Sequence, residues 1–136
     1  MTGAIKLKIP HQPSYHGVAL LVVGGLAARL DLSYEHLEDL QLALESVLEN
    51  DGYARNSEVT VELDVQDDTL AMVVGPLDGA ALKPDLEDER DDRIGLGRLL
   101  GTLVEDVRVE SRGDGDWLRL EKRVQGVRRE GSRGSA

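Results

Sequence analysis

From Ala4 to Ile9 the chain alternates, with Ile5, Leu7 and Ile9 set against Lys6 and Lys8. A period of two reads as a β-strand, and Pro10 and Pro13 close it. Ser14 to Leu30 is apolar almost all round and reads as a largely buried helix. Gly24 and Gly25 weaken that helix by about 1 kcal/mol each relative to alanine and leave room for another backbone to approach. A second helix follows, with Asp31 or Ser33 as its cap and Glu35 in its first turn. There Leu37, Leu40, Leu44, Val47 and Leu48 share one face. Asp39, Ala43, Ser46 and Asn50 make a second stripe, and Gly52 is the expected stop.

Val59, Val61, Leu63 and Val65 alternate with Glu58, Thr60, Glu62 and Asp64, which predicts a half-exposed strand. Asp67-Asp68 turns it into Thr69–Val74, giving a hairpin. Gly75 to Arg93 breaks the pattern: GPLDG is followed by the acidic run DLEDERDD. It reads as a long loop of the kind that often binds or covers a ligand. A third helix is predicted over Ile94–Val104, with Leu96, Leu99, Leu100 and Leu103 on one face and Asp91 or Asp92 as cap. Val107 and Val109 alternate in the next strand. Gly113-Asp114-Gly115-Asp116 signals a turn, and Leu118 and Leu120 alternate in the last strand. From residue 125 to residue 136 the chain is rich in Gly, Ser and Arg and reads as a disordered tail.

The order β-α-α-β-β-loop-α-β-β implies one α/β domain over residues 1–124. It would be an α+β two-layer sandwich, a mostly antiparallel sheet covered on one face by about three helices. The length of 136 residues suits one domain. With no Phe and one Trp, the core must be filled by Leu, Val and Ala. The net charge of −10 argues against non-specific nucleic-acid binding and against anionic membrane surfaces. The absence of cysteine rules out disulfides, thiolate metal sites and cysteine nucleophiles. The opening residues lack a signal-peptide apolar stretch. Val18–Leu30 is interrupted by Gly24, Gly25 and Arg29 and falls short of the roughly 20 residues that span a bilayer. A soluble, cytoplasmic protein is expected. His11, His16 and His36 have no ligand spacing and read as structural.

Two segments carry a family likeness. LSYEHLEDLQLALESVLEN resembles the helix bearing the N-box of the anti-sigma-factor serine kinases, a branch of the histidine-kinase-like ATPase superfamily. RIGLGRLLGTLVEDVRVES, with GDGDWLRLEKRV, resembles that family's G2 box, its helix and its closing hairpin. The resemblance covers about residues 4–124 and implies a Bergerat-type ATP-binding fold. It also implies ATP or ADP with Mg²⁺ as cofactor.

Carried over residue by residue, the resemblance puts Asn50 at the family's Mg²⁺-holding Asn and Ser46 at its catalytic Glu. A hydroxyl cannot serve as a general base near neutral pH, whereas a carboxylate can. Glu45 lies one position earlier, a rotation of about 100° on a helix, and Glu49 is a further carboxylate nearby. In the G1 box Gly75 remains, but Val73 stands at the adenine-binding Asp and Leu77 at the second Gly. Asp78 lies too far along to replace the Asp without a shift of the loop. Gly95 and Gly97 of the G2 box sit where a helix N-terminus would meet phosphate. Lys83, Arg90 and Arg93 only partly offset the acidic loop, and its field would repel ATP unless Mg²⁺ intervenes.

These residues support two readings. In the first, the protein is an anti-sigma-like regulator in a bacterial partner-switching circuit. It would bind a sigma factor or an anti-sigma-factor antagonist, with kinase activity weak or lost, and the resemblance implies a homodimer. In the second, it is a working ATP-dependent serine kinase that phosphorylates the antagonist, using Asn50, Gly95, Gly97 and a recruited Glu45 or Glu49.

Overall fold

The structure, a computed structural model, describes residues 4–87 and 95–124. The order is β1 (Ala4–Pro10), α1 (Pro13–Arg29), α2 (Tyr34–Leu48), a 3-10 turn (Asp51–Tyr53), β2 (Glu58–Gln66), β3 (Thr69–Leu77), α3 (Gly79–Glu87), α4 (Leu96–Leu103), β4 (Asp106–Arg112) and β5 (Gly115–Arg123). The strands form one five-stranded sheet in the order β1-β2-β3-β5-β4, antiparallel throughout. The expected tail, and Asp91 and Asp92 as helix caps, lie outside the described residues.

Alternation sorts the side chains. Val59, Val61 and Leu63 of β2, Leu70, Met72 and Val74 of β3, and Leu118 and Leu120 of β5 point to the inner face. There they meet Ala19 and Val23 of α1, Leu40, Leu44, Val47 and Leu48 of α2, Leu82 of α3, and Leu100 and Leu103 of α4. The core is aliphatic, as a chain without Phe requires. Ser33 caps α2, its Oγ accepting from the His36 N–H at 3.1 Å; Asp31, at φ 58°, instead makes the turn between the first two helices. The chain leaves α2 at Glu49, and Asn50, not Gly52, starts the next turn. Gly24 abuts the Gln41 side chain rather than a backbone, and Gly25 faces open space.

The expected loop over Gly75–Arg93 is corrected. β3 continues to Leu77, past a register shift against β5 between Val74 and Leu77, and Gly79–Glu87 is a helix. Asp78 caps it, its Oδ1 accepting from the Ala80 N–H at 3.0 Å. Leu82 is fully buried, and Ala81 and Leu86 pack against the core. Pro84 and the acidic composition hide this helix from a pattern search; burial of Leu82 outweighs the weak local propensity. The described residues therefore hold four α-helices, one more than expected. α4 also starts two residues later than expected, with Gly95 as its N-cap and no capping side chain. No helix among the described residues is long and apolar enough to cross a membrane.

Candidate functional site

The C-terminal end of α2, the end of β3, α3 and the start of α4 gather at one end of the sheet. Asn50 leaves α2 and accepts the Gly52 N–H on its Oδ1 at 2.8 Å, capping the 3-10 turn. Tyr53, at the end of that turn, is buried. Its carbonyl accepts the Asp78 N–H at 2.9 Å, and its hydroxyl donates to Asp85 Oδ2 on α3 at 2.5 Å. Burial, and then this bond to Asp85, push the Tyr53 hydroxyl well above the ordinary tyrosine range. On the other side of α3, the first turn of α4 lies against its backbone. A Cβ at Gly97 would run into the Leu86 carbonyl.

α3 therefore stands between the segment of Asn50 and the glycines of α4 and touches both. The residues singled out in the sequence do not converge on one cavity. Ser46 is half-buried, and its Oγ donates to the Leu42 carbonyl of its own helix at 2.7 Å. Glu45 turns away, lining a shallow depression with Glu38, Asp39, Gln41 and Leu42. Glu49 is exposed at the end of α2. Gly75 lies on the outer face of the sheet, where an added Cβ would come within 2.5 Å of Trp117 Cδ2. Val73 is on that face as well, paired across the strands with Glu62 and Arg119. An Asp at position 73 would thus sit on the opposite side of the sheet from Ser46 and Asn50.

Among the described residues these positions do not surround one cavity. Asn50 Oδ1 is occupied by a backbone N–H, the Gly97 face is covered by a carbonyl oxygen, and the G1 positions Val73 and Gly75 look away. Among the described residues no group of three His, Asp or Glu side chains is placed to hold a metal.

Sequence reasoning missed the contact of Tyr53 with Asp85 at this end of the sheet and, at the other end, Lys122. Tyr53 and Asp85 are far apart in sequence and carried no motif. Asp78 comes beside Tyr53 because β3 shifts register ahead of it. Lys122, on the inner face of β5, is buried and donates to Asp39 Oδ2 at 3.0 Å and to the Leu103 carbonyl at 2.8 Å. It ties α2 to the C-terminus of α4, where a cation also complements the helix dipole. The period-two pattern of β5 puts Lys122 in register with Leu118 and Leu120, the one available hint that it points inward.

Comparison with known proteins places the chain. No family model matches it. The serine-protein kinase RsbW of Bacillus subtilis is 30% identical over 124 residues, covering 79% of this chain and 78% of that protein. RsbW of Bacillus velezensis is 30% identical over 141 residues, covering 91% and 88%. RsbW of Listeria innocua is 31% identical over 126 residues, covering 80% of each. Among solved structures, the RsbU and RsbW domains of a Mycobacterium tuberculosis protein match with a TM-score of 0.64 at 13% identity. That match covers 90% of this chain and 32% of the larger one, and it concerns the fold alone. The two motif-bearing segments, the antiparallel sheet under its helices and the level of identity over most of both sequences agree: the chain belongs to the family of the RsbW serine-protein kinases, in the anti-sigma-factor branch of the histidine-kinase-like ATPases.

Proposed function

We propose that this protein acts as an anti-sigma-type regulator in a partner-switching circuit, by binding protein partners, and that its kinase activity is weak or lost. The observation that carries the reading is Ser46. It stands where the family's catalytic Glu is expected, and its hydroxyl is committed to the Leu42 carbonyl. A group that is already a hydrogen-bond donor within its own helix, and that does not ionise near neutral pH, cannot take a proton from an attacking serine. The covered face of Gly97 and the outward position of Val73 support the same reading. The partners on this reading are a sigma factor, an anti-sigma-factor antagonist, or both, and the working form is a homodimer.

Two measurements on the full chain test it. Calorimetric titration with Mg-ATP and Mg-ADP is expected to give no heat of binding up to millimolar nucleotide. Incubation with antagonist domains and labelled ATP is expected to leave the antagonist serine unmodified, while the same domains or a sigma factor are retained in a pull-down. Micromolar nucleotide binding followed by transfer to the antagonist would establish the working kinase instead, with Glu45 or Glu49 as the base to mutate next.

A further inference from the structure

Two histidines meet where β1 gives way to α1. His11 follows β1, and its backbone N–H donates to the Ser57 carbonyl at 2.8 Å, which holds it beside the start of β2. His16 stands early in α1 and is 8% exposed. Its companions on the buried side of that helix are Ala19, Val23 and Ala27. An imidazole thus takes the first place in a stripe that is otherwise aliphatic. The two rings have centroids 6.2 Å apart and are tilted by 60°.

Buried ring nitrogens ordinarily find a hydrogen-bond partner. Here Nδ1 and Nε2 of His11 and Nε2 of His16 are buried and make no well-formed hydrogen bond among the described residues. Three orphaned nitrogens therefore lie on two neighbouring rings. A neutral imidazole nitrogen is a good ligand for divalent transition metals. Two imidazoles sharing one ion, at about 2.0–2.1 Å per bond, have centroids roughly 5–6 Å apart, so a small ring movement brings this pair onto a common ion. Burial, chiefly, holds the His11 imidazole below the ordinary histidine value, although the Leu48 carbonyl and Asp51 oppose the shift. His11 is therefore neutral, and able to ligate, at neutral pH. The net charge of −10 also favours the approach of a cation.

We infer that His11 and His16 together hold one divalent transition-metal ion of the zinc type, with water filling its remaining positions. Two protein ligands make an open site, weaker than a closed set of four. Mg²⁺ and Ca²⁺ are the wrong occupants, since hard cations take oxygen ligands. The ion braces the start of α1 against the end of α2, because the Leu48 carbonyl and Asp51 act on His11 from that side. Neither histidine is among the motif positions Ser46, Asn50, Gly75, Gly95 and Gly97, so the inference stands whether or not the chain binds nucleotide.

The test uses the full chain, freed of metal by a chelator and kept without nucleotide. Calorimetric titration with zinc chloride is expected to show one ion per chain with half-saturation below about 100 µM. Magnesium chloride is expected to give no such binding, and zinc affinity is expected to fall between pH 7.5 and 6 as protons compete for the same nitrogens. In imidazole ¹H–¹⁵N spectra of the unmutated chain, zinc is expected to shift the signals of His11 and His16 and to leave His36, in the first turn of α2, unchanged. His11→Leu and His16→Leu are each expected to weaken zinc binding at least about tenfold, and the spectra decide the matter if either variant fails to fold. The inference is overturned if half-saturation lies above about 100 µM, as it would if water alone bridges the two rings. It is also overturned if the zinc-induced shifts fall on His36 instead, or if folded variants bind zinc as tightly as the parent, since the ion would then sit elsewhere.

Discussion

On the inner face of the sheet, Val61, Leu63, Met72, Val74 and Leu118 lie under four helices and are almost wholly excluded from water. On the outer face β2, β4 and β5 carry Glu62, Arg119, Glu121, Arg108, Glu110 and Arg112, linked by ion pairs of 2.7 to 3.5 Å. Val73 is on this second face, with no helix above it among the described residues, and is still only 4% exposed. Its cross-strand partners are Glu62 and Arg119. Arg112 reaches from β4 to Glu62 on β2, and its guanidinium lies 4.0 Å from the centroid of the Trp117 ring. The stems of such arginines are themselves apolar, so a charged layer also excludes water from the strands beneath it. The difference lies in strength: burial of a fully apolar side chain stabilises by kilocalories, whereas partly exposed ion pairs stabilise by fractions of one.

The variant that separates the faces most is Leu44→Ala. Leu44 is fully buried, and truncation is expected to cost about 2–5 kcal/mol, read as a lower urea midpoint that salt does not restore. A loss below about 1 kcal/mol would mean that the inner face is less tightly packed than its burial implies. Lys122→Met comes next. It keeps the apolar stem but removes the bonds to Asp39 and the Leu103 carbonyl. The expected cost is about 1–3 kcal/mol, with faster amide exchange concentrated at the end of α4. Exchange rising evenly through the sheet would show that Lys122 does not act as a tie between α2 and α4.

Arg112→Ala tests the outer face. It is expected to cost about 1 kcal/mol or less, to cost less still in high salt, and to shift Trp117 emission as the ring becomes uncovered. A loss as large as that of Leu44→Ala would erase the contrast between the faces. The smallest effect concerns His11, just after β1, whose ring nitrogens make no well-formed hydrogen bond among the described residues. Burial, chiefly, holds its imidazole below the ordinary histidine value. The folded protein therefore takes up this proton less readily than the unfolded chain. The associated stability is present above the unfolded value of about 6.5 and is lost as pH falls through the folded one. Thermal melts from pH 7.5 to 5 are expected to show a decline that His11→Leu flattens; an unchanged slope would assign the decline to other groups.

Much of the architecture is legible because one local rule, repeated, is enough to state it. Lys6 and Lys8 against Leu7 and Ile9 gave β1 and its two sides, and Leu40, Leu44 and Val47 gave the buried face of α2. α3 was not legible, since Pro84 and its acidic residues spoke for a loop and only the hole filled by Leu82 made it a helix. The candidate site was legible as positions and not as geometry. The likeness named Ser46, Asn50, Gly75, Gly95 and Gly97, yet which face of β3 holds Gly75 depends on strand register against β5. What covers Gly97 depends on where α3 docks.

The sequence by itself determined the antiparallel sheet beneath its helices, the aliphatic core, the family likeness and a serine, not a carboxylate, at position 46. All of these follow from residue identity and short-range periodicity. Tertiary structure alone decided that α3 stands between Asn50 and Gly97, that Tyr53 meets Asp85, and that Lys122 is buried against Asp39. Each of these joins residues distant in the chain, and such a contact is not encoded in a local pattern.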